Sequence, residues 1–89
     1  VDTISAFVTQ VVGGDTVKIQ VTYQDPFNRH EYNLYEKVRI AGRDTPEGGT
    51  LASRLAKATL EKELLAKSIR LTVYSRDTDG RLVAEYSLS

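Results

Sequence analysis

Three stretches of this chain alternate apolar and polar residues with a period of two, two looser stretches read as further strands, and one helix-forming stretch separates the third strand from the fourth. Val17, Ile19, Val21 and Tyr23 alternate with Lys18, Gln20, Thr22 and Gln24. Ile69, Leu71 and Val73 alternate with Arg70, Thr72 and Tyr74, and Leu82, Ala84, Tyr86 and Leu88 continue the pattern. A period of two belongs to strands with one buried face. A looser strand runs from Ile4 to Val12, and another ends at Val38-Arg39-Ile40. Three strands, a helix and two more strands is the order of a five-stranded OB-type barrel. The expected fold is therefore mainly β with one helix, and residues 1–89 form a single domain.

Turn chemistry divides the strands. Gly13-Gly14-Asp15 predicts a tight connection in which glycine supplies positive φ. Asp25-Pro26 opens a longer polar loop, and Asp79-Gly80 is the strongest hairpin signal in the chain. Thr50 to Lys67 is rich in Ala, Leu, Lys and Glu, all good helix formers. Thr50 suits the N-cap, and Glu63 and Lys67 are spaced as an i,i+4 ion pair. At 100° per residue Leu51, Leu55, Ala58 and Leu65 share a face, expected to pack on the barrel, and Leu60 and Leu64 fall roughly opposite. Those two leucines are expected to cover a surface taken by a further C-terminal segment or by self-association with a second copy.

Composition narrows the chemistry. The chain has no cysteine, which removes disulfides and thiolate metal sites and leaves the redox compartment open. No apolar run approaches the roughly 18 residues of a membrane span, and the first residues lack a basic start followed by an apolar stretch. Val1 stands where an initiator methionine would, as in a processed or excised chain. Twelve Lys+Arg balance twelve Asp+Glu. Neutrality disfavours a protein that merely coats nucleic acid, whose affinity comes from counterion release. It is compatible with an enzyme that recruits its own divalent cation.

Two carboxylates sit at strand ends: Asp15 before the second strand, and Asp44 after the third, within Arg39-Ile40-Ala41-Gly42-Arg43-Asp44-Thr45-Pro46-Glu47. Strand-end loops can converge the oxygen ligands that hard cations require. Arg39 lies between Val38 and Ile40, so alternation sends it to the face opposite those apolar neighbours. Taken singly, an aspartate in a glycine-rich turn is more commonly turn chemistry, and Arg39 or Arg81 a solvated surface charge.

Together, Gly14-Asp15-Thr16-Val17-Lys18, Val38-Arg39, Asp44-Thr45-Pro46-Glu47 and Asp77 with Gly80-Arg81 resemble the staphylococcal nuclease (thermonuclease) family in order and spacing, over nearly the whole chain. The resemblance implies Ca²⁺-dependent hydrolysis of phosphodiesters in single-stranded DNA or RNA, giving 3′-phosphate products. It implies that Asp15 and Asp44 bind Ca²⁺ through carboxylates and Thr45 through its carbonyl. It assigns Glu47 as the general base, and Arg39 and Arg81 as the guanidinium groups on the scissile phosphate. It also favours a secreted or periplasmic location and no membrane. Gly13 stands where the family often has an acidic residue, and Thr78 and Asp79 where it has basic or aromatic ones. The family's two C-terminal helices have no counterpart before Ser89. The rival expectation is a non-catalytic OB-type module that binds nucleic acid or protein.

Overall fold

The alternating segments become strands that pair around a closed barrel in the order β1-β2-β3-β5-β4. The computed structural model describes residues 1–43, 46 and 48–88. Its elements are β1 (Asp2–Val11), β2 (Thr16–Gln24), β3 (Tyr35–Ile40), α1 (Leu51–Leu64), β4 (Ser68–Arg76) and β5 (Leu82–Leu88). The expected class and the position of the helix between the third and fourth strands are thus as read from the pattern. No helix among the described residues is long and apolar enough to cross a membrane.

β1 closes the barrel by pairing with β2 on one side and β4 on the other, so that Ile4 lies opposite both Gln24 and Leu71. Register shifts after Ser5 and after Val8 interrupt its pairing with β2, and such bulges bend a strand as closure requires. β3 and β5 pair in parallel, with Val38 opposite Leu82 and Arg39 opposite Val83. Parallel neighbours need a long crossover, and α1 with β4 provides it. Alternation turns Val17, Ile19, Val38, Ile69 and Leu71 inward, each with no exposed surface.

Thr50 caps α1 as expected, its hydroxyl accepting a hydrogen bond from the Ser53 N–H at 3.1 Å. The buried face of the helix, however, is the reverse of the expected one. Leu60 and Leu64 are wholly buried in the barrel core, whereas Leu51 and Leu55 are 64% and 59% exposed. Leu60 and Leu64 are therefore not available for self-association, and the expected contact with a second copy through them is withdrawn. The reason is the placement of the helix. Leu51 through Thr59 contains no buried residue, and only the last turns reach the barrel, mainly against β1. Each leucine buried there contributes about 1.5–3 kcal/mol, more than a longer stripe that meets nothing.

The helix also stops earlier than its composition suggests. Leu65 has left helical geometry at ψ 131°, and Ala66 is left-handed at φ 59°. An alanine there costs about 1–2 kcal/mol. The conformation lets the Ala66 N–H donate to the Val8 carbonyl and the Val8 N–H donate to the Lys67 carbonyl, both at 3.0 Å. Lys67 consequently lies beyond the helix and the expected i,i+4 pair is replaced. Glu63 instead accepts from Arg43 and, at 3.1 Å, from the Tyr86 hydroxyl. The Asp79-Gly80 turn forms with Gly80 at φ 81°. Gly13 is not left-handed, contrary to expectation. Its turn closes because the Thr16 carbonyl accepts from both the Val12 and Gly13 N–H groups, at 2.9 and 3.2 Å.

Candidate functional site

Asp15 leads into β2, and its carbonyl accepts from the Ile40 N–H at 2.7 Å, which fixes it against the end of β3. Thr16 lies opposite Arg39 in the β2–β3 register. Arg39 alternates outward on β3, as expected, and its Nε stands 3.6 Å from Asp15 Oδ2. That separation makes an ion pair but is too long for a hydrogen bond. The other carboxylate oxygen, Oδ1, accepts from the Thr16 hydroxyl at 2.8 Å. The Arg39 side chain is 49% exposed and that of Asp15 19%.

Arg81 arrives from the other half of the chain. The parallel register sets Leu82 beside Val38, which brings the residue before it alongside Lys37. Arg81 and Lys37 line a depression of about 280 Å³ together with Gly13 and Thr16. The turn holds the arginine firmly. Asp77 Oδ2 accepts from Arg81 Nε at 2.8 Å, and Asp77 Oδ1 from the Arg81 N–H at 2.9 Å. Burial would push the Asp77 carboxyl up, but these contacts outweigh it and hold the group below its ordinary range. Asp79 Oδ2 accepts from Arg81 Nη2 at 3.1 Å. Of the five N–H donors of that guanidinium, Nη1 and one on Nη2 stay clear of these contacts.

The structure thus brings Asp15, Arg39 and Arg81 to one rim of the barrel. Asp44, Thr45 and Glu47 lie outside the described residues. Among the described residues no group of three or more His, Cys, Asp and Glu side chains is placed to hold a metal. Asp15 offers a hard carboxylate of the type Ca²⁺ takes, and a cation there would share that carboxylate with Arg39 and Thr16.

Three supporting residues escaped the sequence reading: Glu36, Arg76 and Lys37. Arg76 donates to both Glu36 carboxylate oxygens at 3.0 and 3.1 Å, and its Nη1 also donates to the Gly80 carbonyl at 2.6 Å. It therefore ties the turn that carries Arg81 to the start of β3. No local signal marks this contact, because Glu36 and Arg76 are 40 residues apart. Glu36 in an inward position of an alternating strand was the one visible anomaly. Neither the family models nor the curated proteins compared with this chain give a match.

Proposed function

We propose that this barrel is a staphylococcal-nuclease-like phosphodiesterase that hydrolyses single-stranded DNA or RNA with the help of Ca²⁺ and leaves 3′-phosphate ends. The observation that carries this reading is the meeting of Asp15, Arg39 and Arg81 at one rim from three separate strand ends. Two guanidinium groups with open N–H donors can engage the oxygens of one phosphate, and they become more effective as negative charge builds in the transition state. Asp77 holds the Arg81 fork in place before the substrate arrives, so little ordering of that group remains at the moment of reaction, while the longer ion pair with Asp15 keeps the Arg39 fork near the rim and open to a ligand. Glu47 is assigned to take a proton from the attacking water as the bond from phosphorus to the 5′ oxygen breaks. Asp15, with Asp44 and Thr45, would hold the cation, which when bound supplies Lewis acidity and charge neutralisation.

A second reading, a non-catalytic OB-type module that binds nucleic acid or protein, draws support from Asp79. Its carboxylate occupies an N–H of Arg81 that a phosphate would otherwise use. A nuclease assay separates the two. With Ca²⁺ the chain should release 3′-phosphate fragments from single-stranded DNA, and EDTA should stop it. Arg39→Lys and Arg81→Lys should each lower turnover by about a hundredfold, because an ammonium does not reproduce the bidentate fork. Full turnover in both lysine variants would sink the assignment, and oligonucleotide binding without any cleavage would favour the second reading.

A further inference from the structure

The outer surface of β1, β2 and β3 leads away from the rim as an ordered strip. Register aligns Phe7 with Gln20 and Gln20 with Tyr35 as one cross-strand row. The neighbouring row sets Lys18 directly opposite Lys37. All four of Phe7, Lys18, Tyr35 and Lys37 are exposed, with Tyr35 at 65%. Opposed residues of an antiparallel pair hold their Cβ atoms about 4.5–5.5 Å apart, so two ammonium stems here repel each other. Neither lysine makes an ion pair with any described residue. A groove of about 340 Å³ lies over this strip, lined by Thr9, Lys18, Ile19, Tyr35, Glu36 and Lys37, and the Glu36 carboxylate is buried and paired with Arg76. Lys37 also lines the depression that holds Arg81. The groove and the rim are therefore joined through a single lysine.

We propose that this strip is the path of a single-stranded polynucleotide, running from the rim arginines over Lys37 and Lys18 to a base stacked on Tyr35. This rests on the reading of the rim as a phosphodiester site. A chain of phosphates relieves the repulsion that the two lysines suffer in its absence, which is the charge complementarity the strip lacks within its own fold. The exposed aromatic ring next to them selects among polyanions. An unpaired base has a face to stack on Tyr35, whereas a duplex keeps its bases inside and an acidic peptide offers no such plane. Gln20, between Phe7 and Tyr35, adds hydrogen-bonding capacity without charge.

The test is fluorescence anisotropy of a labelled oligothymidylate with the whole chain, in EDTA so that nothing is cut, over a range of salt. The wild-type chain should bind with an affinity that falls as salt rises. The Lys18→Ala, Lys37→Ala double variant should flatten the plot of log affinity against log salt by about 1.4, two phosphates at roughly 0.7 each. Tyr35→Ala should weaken binding about tenfold and leave that slope unchanged, as the loss of one stacked base does. Thermal melts of the variants check folding. Loss of the lysine repulsion should leave the double variant at least as stable as the wild type. No binding by the folded wild-type chain, or a double variant with an unchanged slope, overturns the path. So does Tyr35→Ala with full affinity, since that identifies a general polyanion patch that heparin would fill equally well. Hydrolysis of a small chromogenic phosphodiester by the wild-type chain reads the rim separately. Hydrolysis without oligonucleotide binding discards the path and keeps the nuclease. Lysine- and tyrosine-dependent binding without hydrolysis keeps the path and discards the nuclease.

Discussion

β3 carries an ion pair near each of its ends, and the two are built for different purposes. Near its start Glu36 points inward, with a side chain only 4% exposed. Its carboxylate accepts from both Arg76 nitrogens, from the Asn33 N–H at 3.0 Å and from the Asn33 side-chain amide at 3.2 Å. Near its end Arg39 points outward, pairs among the described residues with the Asp15 carboxylate at 3.6 Å, and has half of its side chain in solvent. The two positions are three apart in the chain, an odd offset, so strand alternation puts them on opposite faces. The inward pair is saturated and fixes geometry, including the turn that presents Arg81. The outward pair is loose and leaves donors for a ligand. One short strand thus supplies both the support and the proposed chemistry.

The sharpest way to break this comparison is to remove one arginine from each pair. Arg76→Met leaves the Glu36 carboxylate buried without its main partner. Stranding one member of a fully buried pair costs about 3–5 kcal/mol, and because Arg76 is itself 41% exposed the loss here should be nearer about 2–3 kcal/mol. In a domain of this size that lowers the melting temperature by about 10–20 °C. A melt that moves no more for Arg76→Met than for Arg39→Met would show that the two ends do not differ.

Acid should act on the inward end next. Burial pushes the Glu36 carboxyl up, but the contacts from Arg76 and Asn33 overcome it and hold the group below its ordinary value. Asp2 lies at the same end of the barrel, where the Tyr32 hydroxyl donates to it at 2.6 Å and the Arg29 N–H at 2.9 Å. The Tyr32 hydrogen bond, with the backbone donors, holds its carboxyl down to about 2 from an ordinary 3.8. Both groups are depressed in the folded state. Their stabilisation is complete above the unfolded value and is lost as pH falls through the folded one, for Asp2 between about 4 and about 2. Melting temperature measured down this range should fall, and Tyr32→Phe should make the fall smaller. An identical profile in the variant would remove Asp2 from the account.

The smallest effect is expected at the outward end. Arg39→Met breaks an exposed, long ion pair and should change stability by no more than about 1 kcal/mol. A chemical-denaturation midpoint close to that of the wild type, with turnover lost, is the expected combination. A large loss of stability would make Arg39 a structural residue and weaken its role at a phosphate.

Legibility differed in the same way between local and distant features. The five strands, three of them by clear alternation, the Thr50 cap and the Asp79-Gly80 turn could all be read from neighbouring residues, and each is present. The outward direction of Arg39 followed from alternation alone. The support of the site could not be read so, because Arg76 meets Glu36 across 40 residues, and the Tyr32 contact with Asp2, across 30, was hidden in the same way. The helix misled for a related reason. Counting apolar residues around a helical wheel favoured Leu51, Leu55, Ala58 and Leu65, but a wheel does not say which turns of the helix touch anything.

What the sequence determined by itself was the order and type of the elements, since period, propensity and turn chemistry act within a few residues of the chain. The tertiary structure alone decided that Leu60 and Leu64 face the core, that α1 stops at Leu64, and that Arg81 comes to lie beside Lys37 near Asp15. Those outcomes depend on barrel closure, which sets register between strands far apart in the chain. Ala66 shows the hierarchy most plainly: its own preference is helical, and the two hydrogen bonds that Val8 on β1 makes with Ala66 and Lys67 hold it left-handed instead.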